Sequence, residues 1–178
     1  FRSIKYHNVR VPQSNIILGR GRGFEIAQGR LGPGRIHHCM RSLGSAEKAL
    51  ELMVKRAGDR EAFGKTILKL GKNLEVISRA RIEIDAMRLM VLQAAKAMDV
   101  MGNKEARVYV SAIKAMVPEK VCVIIDQAMQ MHGATGISHW SPLPDMYHHQ
   151  RHLRFADGPD EVHHMVVGRA EIQKYDLW

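Results

Sequence analysis

Apolar side chains recur at every third or fourth position along much of this chain of 178 residues. This spacing gathers them on one face of an α-helix, which turns once in about 3.6 residues. The clearest run skips one turn, at Arg81, and consists of Ile67, Leu70, Leu74, Ile77, Ile84, Met87, Val91 and Ala94. It predicts a helix of about 30 residues or more, which gains most of its stability by packing its apolar face against other helices.

Glycine and proline residues divide the helical pattern into four predicted helices. Their expected ranges are about Arg35 to Lys55 with a start at Pro33, a long second helix closed by Gly102, a third from Ala106 toward Gly133 with a kink at Pro118, and a fourth from Pro159 to about Lys174. Residues 135–157 are predicted to form a long irregular loop, and such loops often carry function. The expected fold class is all-α, an antiparallel four-helix bundle.

The first residues follow a different pattern. Ile4 to Val11 alternate in side-chain character like a β-strand, which Pro12 ends. Because the chain opens inside this element with Phe1 rather than Met, we expect a fragment of a larger polypeptide without a signal peptide. No apolar run approaches the roughly 20 residues that span a bilayer, so we expect a soluble chain.

Composition leaves several partner classes open. Lys and Arg number 27 and Asp and Glu number 18, and a net charge of +9 attracts nucleic acids, acidic lipids and phosphorylated cofactors alike. The segment RGRG at 20–23 is a single copy without interleaved aromatic residues, so a solvated turn is favoured over an RNA-binding motif. A basic nucleic-acid-binding bundle and a non-catalytic helical oligomerisation module both stay open as alternatives.

Metal and nucleophile chemistry are poorly supported. His148, His149 and His152 are close enough in sequence for two of them to share an ion, but no carboxylate or thiolate stands at ligand spacing beside them. We therefore predict no metal site and interpret the ten histidines mainly as hydrogen-bonding groups. Cys39 and Cys122 lie in apolar stretches without CxxC spacing, which fits a reducing compartment rather than a disulfide framework.

The most unusual segment is LRFADGPDEVHH at 153–164. Asp157 precedes Gly158 and Pro159 at the expected start of the fourth helix. From the residues alone, the favoured interpretation is that Asp157 helps to cap that helix.

Five motifs occur in a fixed order along the chain. They are VRVP at 9–12, GR at 34–35 before a long amphipathic run, DREAFGK at 59–65, QMHGATG at 130–136 and ADGPDEVH at 156–163. Together they resemble the C-terminal half of the acyl-CoA dehydrogenase flavoprotein family over nearly the whole chain. LRFADGPDEVH is similar to the subgroup that includes family members ten and eleven. The resemblance implies that residues 1–22 are the end of a middle β-domain and a connector, and that residues 23–178 are the C-terminal helical bundle domain.

The resemblance also implies a reaction, the α,β-dehydrogenation of acyl-CoA thioesters in fatty-acid β-oxidation. A carboxylate removes the α-proton while the β-hydrogen leaves as a hydride to FAD. The family's usual glutamate-glycine pair falls on Asp157 and Gly158, one methylene shorter at the base. A second base position, used by another branch of the family, falls on Gly34 and carries no acid. Arg35 and Gly158 are implied to contact the substrate.

The cofactor contacts that the resemblance implies are Arg60, Phe63, Gln130, Gly133, Ala134, Pro159 and Glu161. In the family, the arginine of the R-x-x-F-G motif contacts the FAD pyrophosphate of a neighbouring subunit. Ala134 replaces a second glycine, and Pro159 and Glu161 stand where threonine and glutamine are common. Contacts to the adenosine half of FAD are therefore expected to differ from those usual in the family.

The resemblance further implies partners and a location. We expect a homodimer or homotetramer that shares each FAD site between subunits, with an electron-transfer flavoprotein or oxygen as the electron acceptor. A mitochondrial or peroxisomal location is expected, and no nucleic-acid partner. The isolated fragment is expected to bind FAD weakly and to be inactive, because the contacts to the flavin ring lie in the missing β-domain.

Overall fold

A computed structural model describes residues 3–177, which form five α-helices and one short hairpin. The helices are α1 (Gly23–Asp59), α2 (Asn73–Glu105), α3 (Arg107–His132), α4 (Leu143–His152) and α5 (Asp160–Gln173). The hairpin consists of β1 (Glu61–Ala62) and β2 (Lys65–Thr66), and short 3₁₀ helices occupy Gln13–Asn15, Ile67–Lys69 and Gly133–Ile137. The predicted all-α bundle is confirmed.

The core lies where α1, α2 and α3 bring their apolar faces together. On α2, the predicted stripe supplies Ile84, Met87 and Val91, all without exposed surface. Burying one such side chain contributes about 1.5–3 kcal/mol, which is why a helix of this length is stable here. The core residues of the three helices are Cys39, Leu43, Ala46, Ala49, Leu50, Met53, Ala80, Ile84, Met87, Val91, Ala94, Ile113, Val117, Val121, Ile124, Ile125 and Ala128, with Leu143 from α4.

Side-chain contacts fix the directions of the three long helices. Gly32, near the start of α1, lies against Asn103 at the end of α2, so these helices are antiparallel. Only Ala106 separates α2 from α3, and Lys120 Nζ reaches Glu83 Oε1 at 3.1 Å in the first half of α2. The helices α2 and α3 are therefore antiparallel as well. It follows that α1 and α3 run in the same direction and end at the same end of the bundle.

The first helix starts earlier than predicted. It begins at Gly23 rather than near Arg35, continues through Pro33, and ends at Asp59 rather than Lys55. A proline inside a helix removes one backbone hydrogen bond and crowds the carbonyl of the residue four positions earlier. That residue is Gly29, and the space above it is open. We attribute the extra turns to packing of the buried Gly32 on α2, which outweighs the local cost of the proline.

The predicted irregular stretch at 135–157 was wrong in part. It contains the end of a 3₁₀ helix, Gly133–Ile137, and the whole of α4. Pro142 is the N-cap of α4 and Pro144 lies in its first turn. Amide hydrogens are not needed for helical bonding at those positions, so prolines that suggested a loop instead begin a helix.

The predicted strand from Ile4 to Val11 was also wrong for this structure. These residues are extended but exposed, and they form no strand. A strand needs a neighbour to satisfy its backbone N–H and C=O groups, and residues 3–177 supply none beside this segment. The predicted division of the chain at residue 22 stays a prediction.

Within residues 3–177, no helix combines the length and the apolar character needed to cross a membrane. Cys39 and Cys122 are both free thiols inside the bundle. Burial raises the pKa of Cys39 to about 12, so this thiol stays protonated and packs as a small apolar group.

Candidate functional site

The turn between α4 and α5 presents Asp157 in an uncommon backbone conformation. Asp157 has φ of +58° and Gly158 has φ of +107°. Aspartate is one of the few residues with a side chain that adopts left-handed geometry with any frequency. At Gly158, an added Cβ would lie 2.8 Å from Nε2 of His163, so the turn can approach that ring only as glycine.

Two buried or half-buried cations hold this turn by its carbonyl groups. Lys114 of α3 has no exposed surface, and its Nζ donates to the Leu153 oxygen at 2.5 Å and to the Gly158 oxygen at 3.5 Å. Arg35 of α1 donates from Nε to the Asp157 oxygen at 2.8 Å. Burial lowers the pKa of both cations. The turn is thus fixed from two helices, and the Asp157 side chain is left for other contacts.

His163 of α5 packs beneath the turn in its neutral form. Its Nε2 lies 3.3 Å from the Asp157 oxygen, and its Nδ1 lies 3.3 Å from Ser111 Oγ. A carbonyl can only accept a hydrogen bond, so Nε2 carries the ring hydrogen and Nδ1 accepts from the serine hydroxyl. Burial, with Lys114 and Arg35 nearby, lowers the pKa of His163 to about 4.

This shifted pKa predicts that the chain loses stability in mild acid. His163 takes up a proton near 6.5 when it is unfolded and only near 4 when it is folded. The unfolded state therefore binds more protons in this range, and the free energy of unfolding falls as the pH drops through it. At about pH 5 the loss due to this group is about 2 kcal/mol relative to neutral pH.

Urea unfolding followed by circular dichroism at about pH 7.5 and about pH 5 measures this loss. We expect His163→Gln to show a smaller drop between the two pH values than the unsubstituted chain. His164→Gln removes an exposed neighbour from the same helix and should leave the drop unchanged. An equal drop in all three proteins would contradict the assignment to His163.

The carboxylate of Asp157 faces α1. Its Oδ2 lies 2.9 Å from Nε2 of His38, and the side chains of His38 and Asp157 are 28% and 25% exposed. Sequence reasoning missed His38, because it counted this residue only among ten histidines interpreted mainly as hydrogen-bonding groups. A signal was available, since His38 follows Arg35 by three positions and therefore shares its helix face.

The capping interpretation of Asp157 was wrong. The N-cap of α5 is Pro159, and no side chain caps this helix. In the first turn of α5, the acid that forms an ion pair is Asp160, whose Oδ2 accepts a hydrogen bond from Arg154 Nε at 2.6 Å. The Asp157 carboxylate is therefore not used to start the helix.

Arg60 and Phe63 lie at a hairpin beyond the end of α1. Phe63 and Gly64 connect β1 to β2 and have φ values of +51° and +73°, the pattern of a tight two-residue hairpin turn. The Phe63 side chain is 94% exposed at the tip. Within residues 3–177, the exposed Arg60 guanidinium has no hydrogen bond or ion pair.

Gln130, Gly133 and Ala134 lie at the end of α3 and in the following 3₁₀ helix, and all three are exposed. Gln130 and Gly133 border a cavity of about 250 Å³, which Ala134 does not line. Since α1 and α3 end at the same end of the bundle, this group and the Arg60 hairpin lie at that same end.

The structure therefore separates the implied site residues into two groups. Asp157, Gly158 and Arg35 lie together, and the exposed Pro159 and Glu161 follow them at the start of α5. Roughly 38 Å of helix axis separates Arg35 from Arg60, at 1.5 Å of rise per residue in α1. The two groups of one chain are too far apart to bind the same phosphate.

In the described part of the chain, the second base position, Gly34, carries no acid, and no metal site is present. Gly34 is buried, and a side chain added there would meet the Arg30 guanidinium at 2.6 Å. No group of three or more His, Cys, Asp and Glu side chains within residues 3–177 is arranged to hold a metal ion.

Comparisons with a family model, with curated relatives and with solved structures all indicate the same family. A family model described as the acyl-CoA dehydrogenase C-terminal domain matches residues 21–172. The chain is 52% identical over 170 residues to acyl-CoA dehydrogenase family member 10 of Mus musculus. It is 51% identical over 170 residues to family member 11 of Rattus norvegicus. Each alignment covers 96% of this chain but only 16% of the mouse protein and 22% of the rat protein.

A solved structure shares the fold closely. A protein of Mycobacterium abscessus, provisionally described as an acyl-CoA dehydrogenase, superposes with a TM-score of 0.90 at 51% sequence identity. The superposition covers 96% of this chain and 42% of that one. This chain therefore spans less than half the length of the relatives that it matches.

Proposed function

Because this chain belongs to the acyl-CoA dehydrogenase family, as its C-terminal domain, we propose that it supplies the catalytic base and part of the FAD site of a dehydrogenase. The substrates are acyl-CoA thioesters, from which the enzyme removes hydrogen at the α and β carbons in fatty-acid β-oxidation. The family and the relatives from members 10 and 11 confirm the resemblance that the five motifs indicated.

The single observation that carries the proposal is the setting of Asp157. Its carboxylate is one quarter exposed, and Arg35 and His163 hold its backbone carbonyl. A general base must combine access to substrate with a fixed position, because a shift of about 1 Å can cost roughly 100-fold in rate. Asp157 meets both conditions and can accept the α-proton.

The backbone of the same turn offers a second function. Among residues 3–177, the N–H groups of Asp157 and Gly158 have no hydrogen-bond acceptor. Free amide hydrogens beside the base suit a thioester carbonyl, whose oxygen gains negative charge as the α-proton leaves. This supports a role for Gly158 and the Asp157 backbone in holding the substrate.

The residues at the opposite end of the bundle fit FAD in their chemistry. Arg60 presents a guanidinium without a partner among residues 3–177, and such a group can bind phosphate through two parallel hydrogen bonds. Phe63 presents an exposed ring, and Gln130 and Gly133 line a concave surface at the same end of the bundle. Bound FAD would accept the β-hydrogen as a hydride. Pro159 and Glu161 belong to the group around Asp157, so they would contact FAD from that end of the bundle.

The separation of the two groups supports a cofactor site shared between subunits. We propose a homodimer or homotetramer in which the base of one chain and Arg60 of another serve the same FAD. Apolar side chains that stay exposed on α2 are consistent with such contacts, namely Leu74, Ile82, Leu89, Leu92, Val100 and Met101. An electron-transfer flavoprotein or oxygen as acceptor, and a mitochondrial or peroxisomal location, stay predictions.

The test is the visible spectrum of the full-length protein. We expect a bound flavin whose absorption bleaches when an acyl-CoA is added without oxygen, because the hydride reduces it. A full-length protein without flavin, or with a flavin that no acyl-CoA bleaches, would contradict the proposal. Binding of DNA or RNA that weakens steeply with salt and needs no flavin would instead favour the nucleic-acid alternative.

A further inference from the structure

The one side chain that touches the Asp157 carboxylate in the described structure is His38. Its Nε2 lies 2.9 Å from Oδ2 of Asp157. Arg35, one turn earlier on α1, binds the backbone oxygen of the same aspartate at 2.8 Å. A single helix face thus contacts both the main chain and the side chain of Asp157.

The partners of His38 define where its hydrogen lies. Arg41 Nη2 is 2.9 Å from His38 Nδ1, and a guanidinium can only donate. His38 Nδ1 is therefore an acceptor, and the ring hydrogen is on Nε2, directed at Asp157. Burial, assisted by the positive charges of Arg41 and Lys114 and by His37, lowers the pKa of His38 against the opposing effect of Asp157. The ring is a neutral donor.

A neutral hydrogen-bond donor at one carboxylate oxygen fixes the orientation of the carboxylate group. The terminal torsion of an aspartate is broad and roughly two-fold, so an unrestrained carboxylate turns easily. A hydrogen bond at Oδ2 stops this rotation and leaves Oδ1 without a partner among residues 3–177. An imidazole that already carries its hydrogen on Nε2 cannot take a proton from Asp157 at that atom, which excludes a relay through this contact.

We propose that His38 is a positioning residue that fixes the Asp157 carboxylate by donating to Oδ2, so that Oδ1 receives the substrate α-proton. This inference rests on the proposed function of Asp157. In the step, the α C–H bond breaks, the proton moves to Oδ1, and the electron pair forms the new carbon-carbon double bond as the β-hydrogen leaves as a hydride. The hydride acceptor is the oxidised flavin of the proposed enzyme.

The test compares two substitutions of His38 in the full-length flavoenzyme. His38→Leu removes the donor at similar volume, whereas His38→Gln places an amide N–H near the position of Nε2. We expect His38→Leu to slow flavin reduction by roughly 10-fold to 100-fold, with little change in the acyl-CoA dissociation constant. His38→Gln should recover most of this rate. His37→Leu, at the exposed neighbour, is the matched control and should behave as the unsubstituted enzyme.

A second measurement separates positioning from general damage to the fold. With substrate deuterated at the α-carbon, His38→Leu should show a larger isotope effect on flavin reduction, because a misaligned base makes C–H cleavage more rate-limiting. An unchanged rate in His38→Leu, or equal losses in the Leu and Gln variants, would overturn the proposal.

Asp157→Asn, measured in the same experiment, separates the positioning role of His38 from the proposed role of Asp157 as the base. If this variant is inactive while His38→Leu keeps the full rate, only the positioning role of His38 fails. If Asp157→Asn keeps the full rate, the base assignment itself fails, and the role of His38 falls with it.

Discussion

In the full-length enzyme, Asp157→Asn is expected to slow flavin reduction by acyl-CoA by roughly 1000-fold, which corresponds to about 4 kcal/mol in the barrier. Asparagine has the same size, adopts left-handed backbone geometry readily, and can still accept from His38 through its amide oxygen. The turn and the binding of FAD and acyl-CoA should therefore survive. What is lost is the ability to accept a proton.

Rapid mixing with detection of flavin bleaching measures this effect, and calorimetry checks that acyl-CoA still binds. Asp99→Asn is the matched control, because Asp99 is an exposed acid on α2 without an ion pair in the described structure. Turnover of Asp157→Asn within a few-fold of the unsubstituted enzyme would end the assignment of Asp157 as base.

Asp157→Glu, which restores the usual family residue, should recover only part of the rate. Glutamate is one methylene longer and tolerates φ near +58° less well than aspartate. The longer side chain must also fit against His38, which lies 2.9 Å from the present carboxylate. Substrate should therefore still bind to Asp157→Glu, but the shifted carboxylate should abstract the α-proton more slowly.

The helices that could be predicted are those whose apolar spacing reflects burial. The stripe at Ile84, Met87 and Val91 is fully buried, and helical geometry breaks at Gly102 with φ of +80°, as predicted. Periodicity succeeds in this part of α2, which packs along one face. It failed at the start of the predicted run, where Ile67 and Leu70 precede α2 and Leu74 is 64% exposed. Predictions from neighbouring residues alone failed at Pro33 and Pro142. The free-energy cost of a proline depends on its position in the helix and on the packing that opposes it.

The site could be predicted only where one short motif contains its residues. Asp157 and Gly158 are adjacent in the chain and belong to a recognisable segment. Their contacts with Arg35 and Lys114 join positions that are 122 and 44 residues apart. Neither composition nor periodicity reports such contacts, so the buried Lys114 beneath the turn was not predicted.

A stronger test of the shared cofactor site uses oligomers assembled from two inactive chains. Arg60→Glu places a negative charge where an exposed guanidinium has no ion pair in the described part of the chain. It should therefore spare the bundle and weaken FAD binding by roughly 100-fold or more. Lys96→Glu, the same charge change at an exposed position on α2, is the control and should retain FAD.

Mixed oligomers of Arg60→Glu and Asp157→Asn chains should regain activity that neither parent has at limiting FAD. If Arg60 of one chain and Asp157 of another serve the same cofactor, one site of a mixed pair carries both defects and the other carries none. Up to half of the normal activity per mixed pair then returns. If each chain built its site alone, every site would keep one defect and no activity would return. Arg35 lies beside Asp157, and roughly 38 Å of helix separates it from Arg60. This distance favours the first outcome, because an FAD whose pyrophosphate is held by Arg60 cannot also place its flavin beside Asp157 of the same chain.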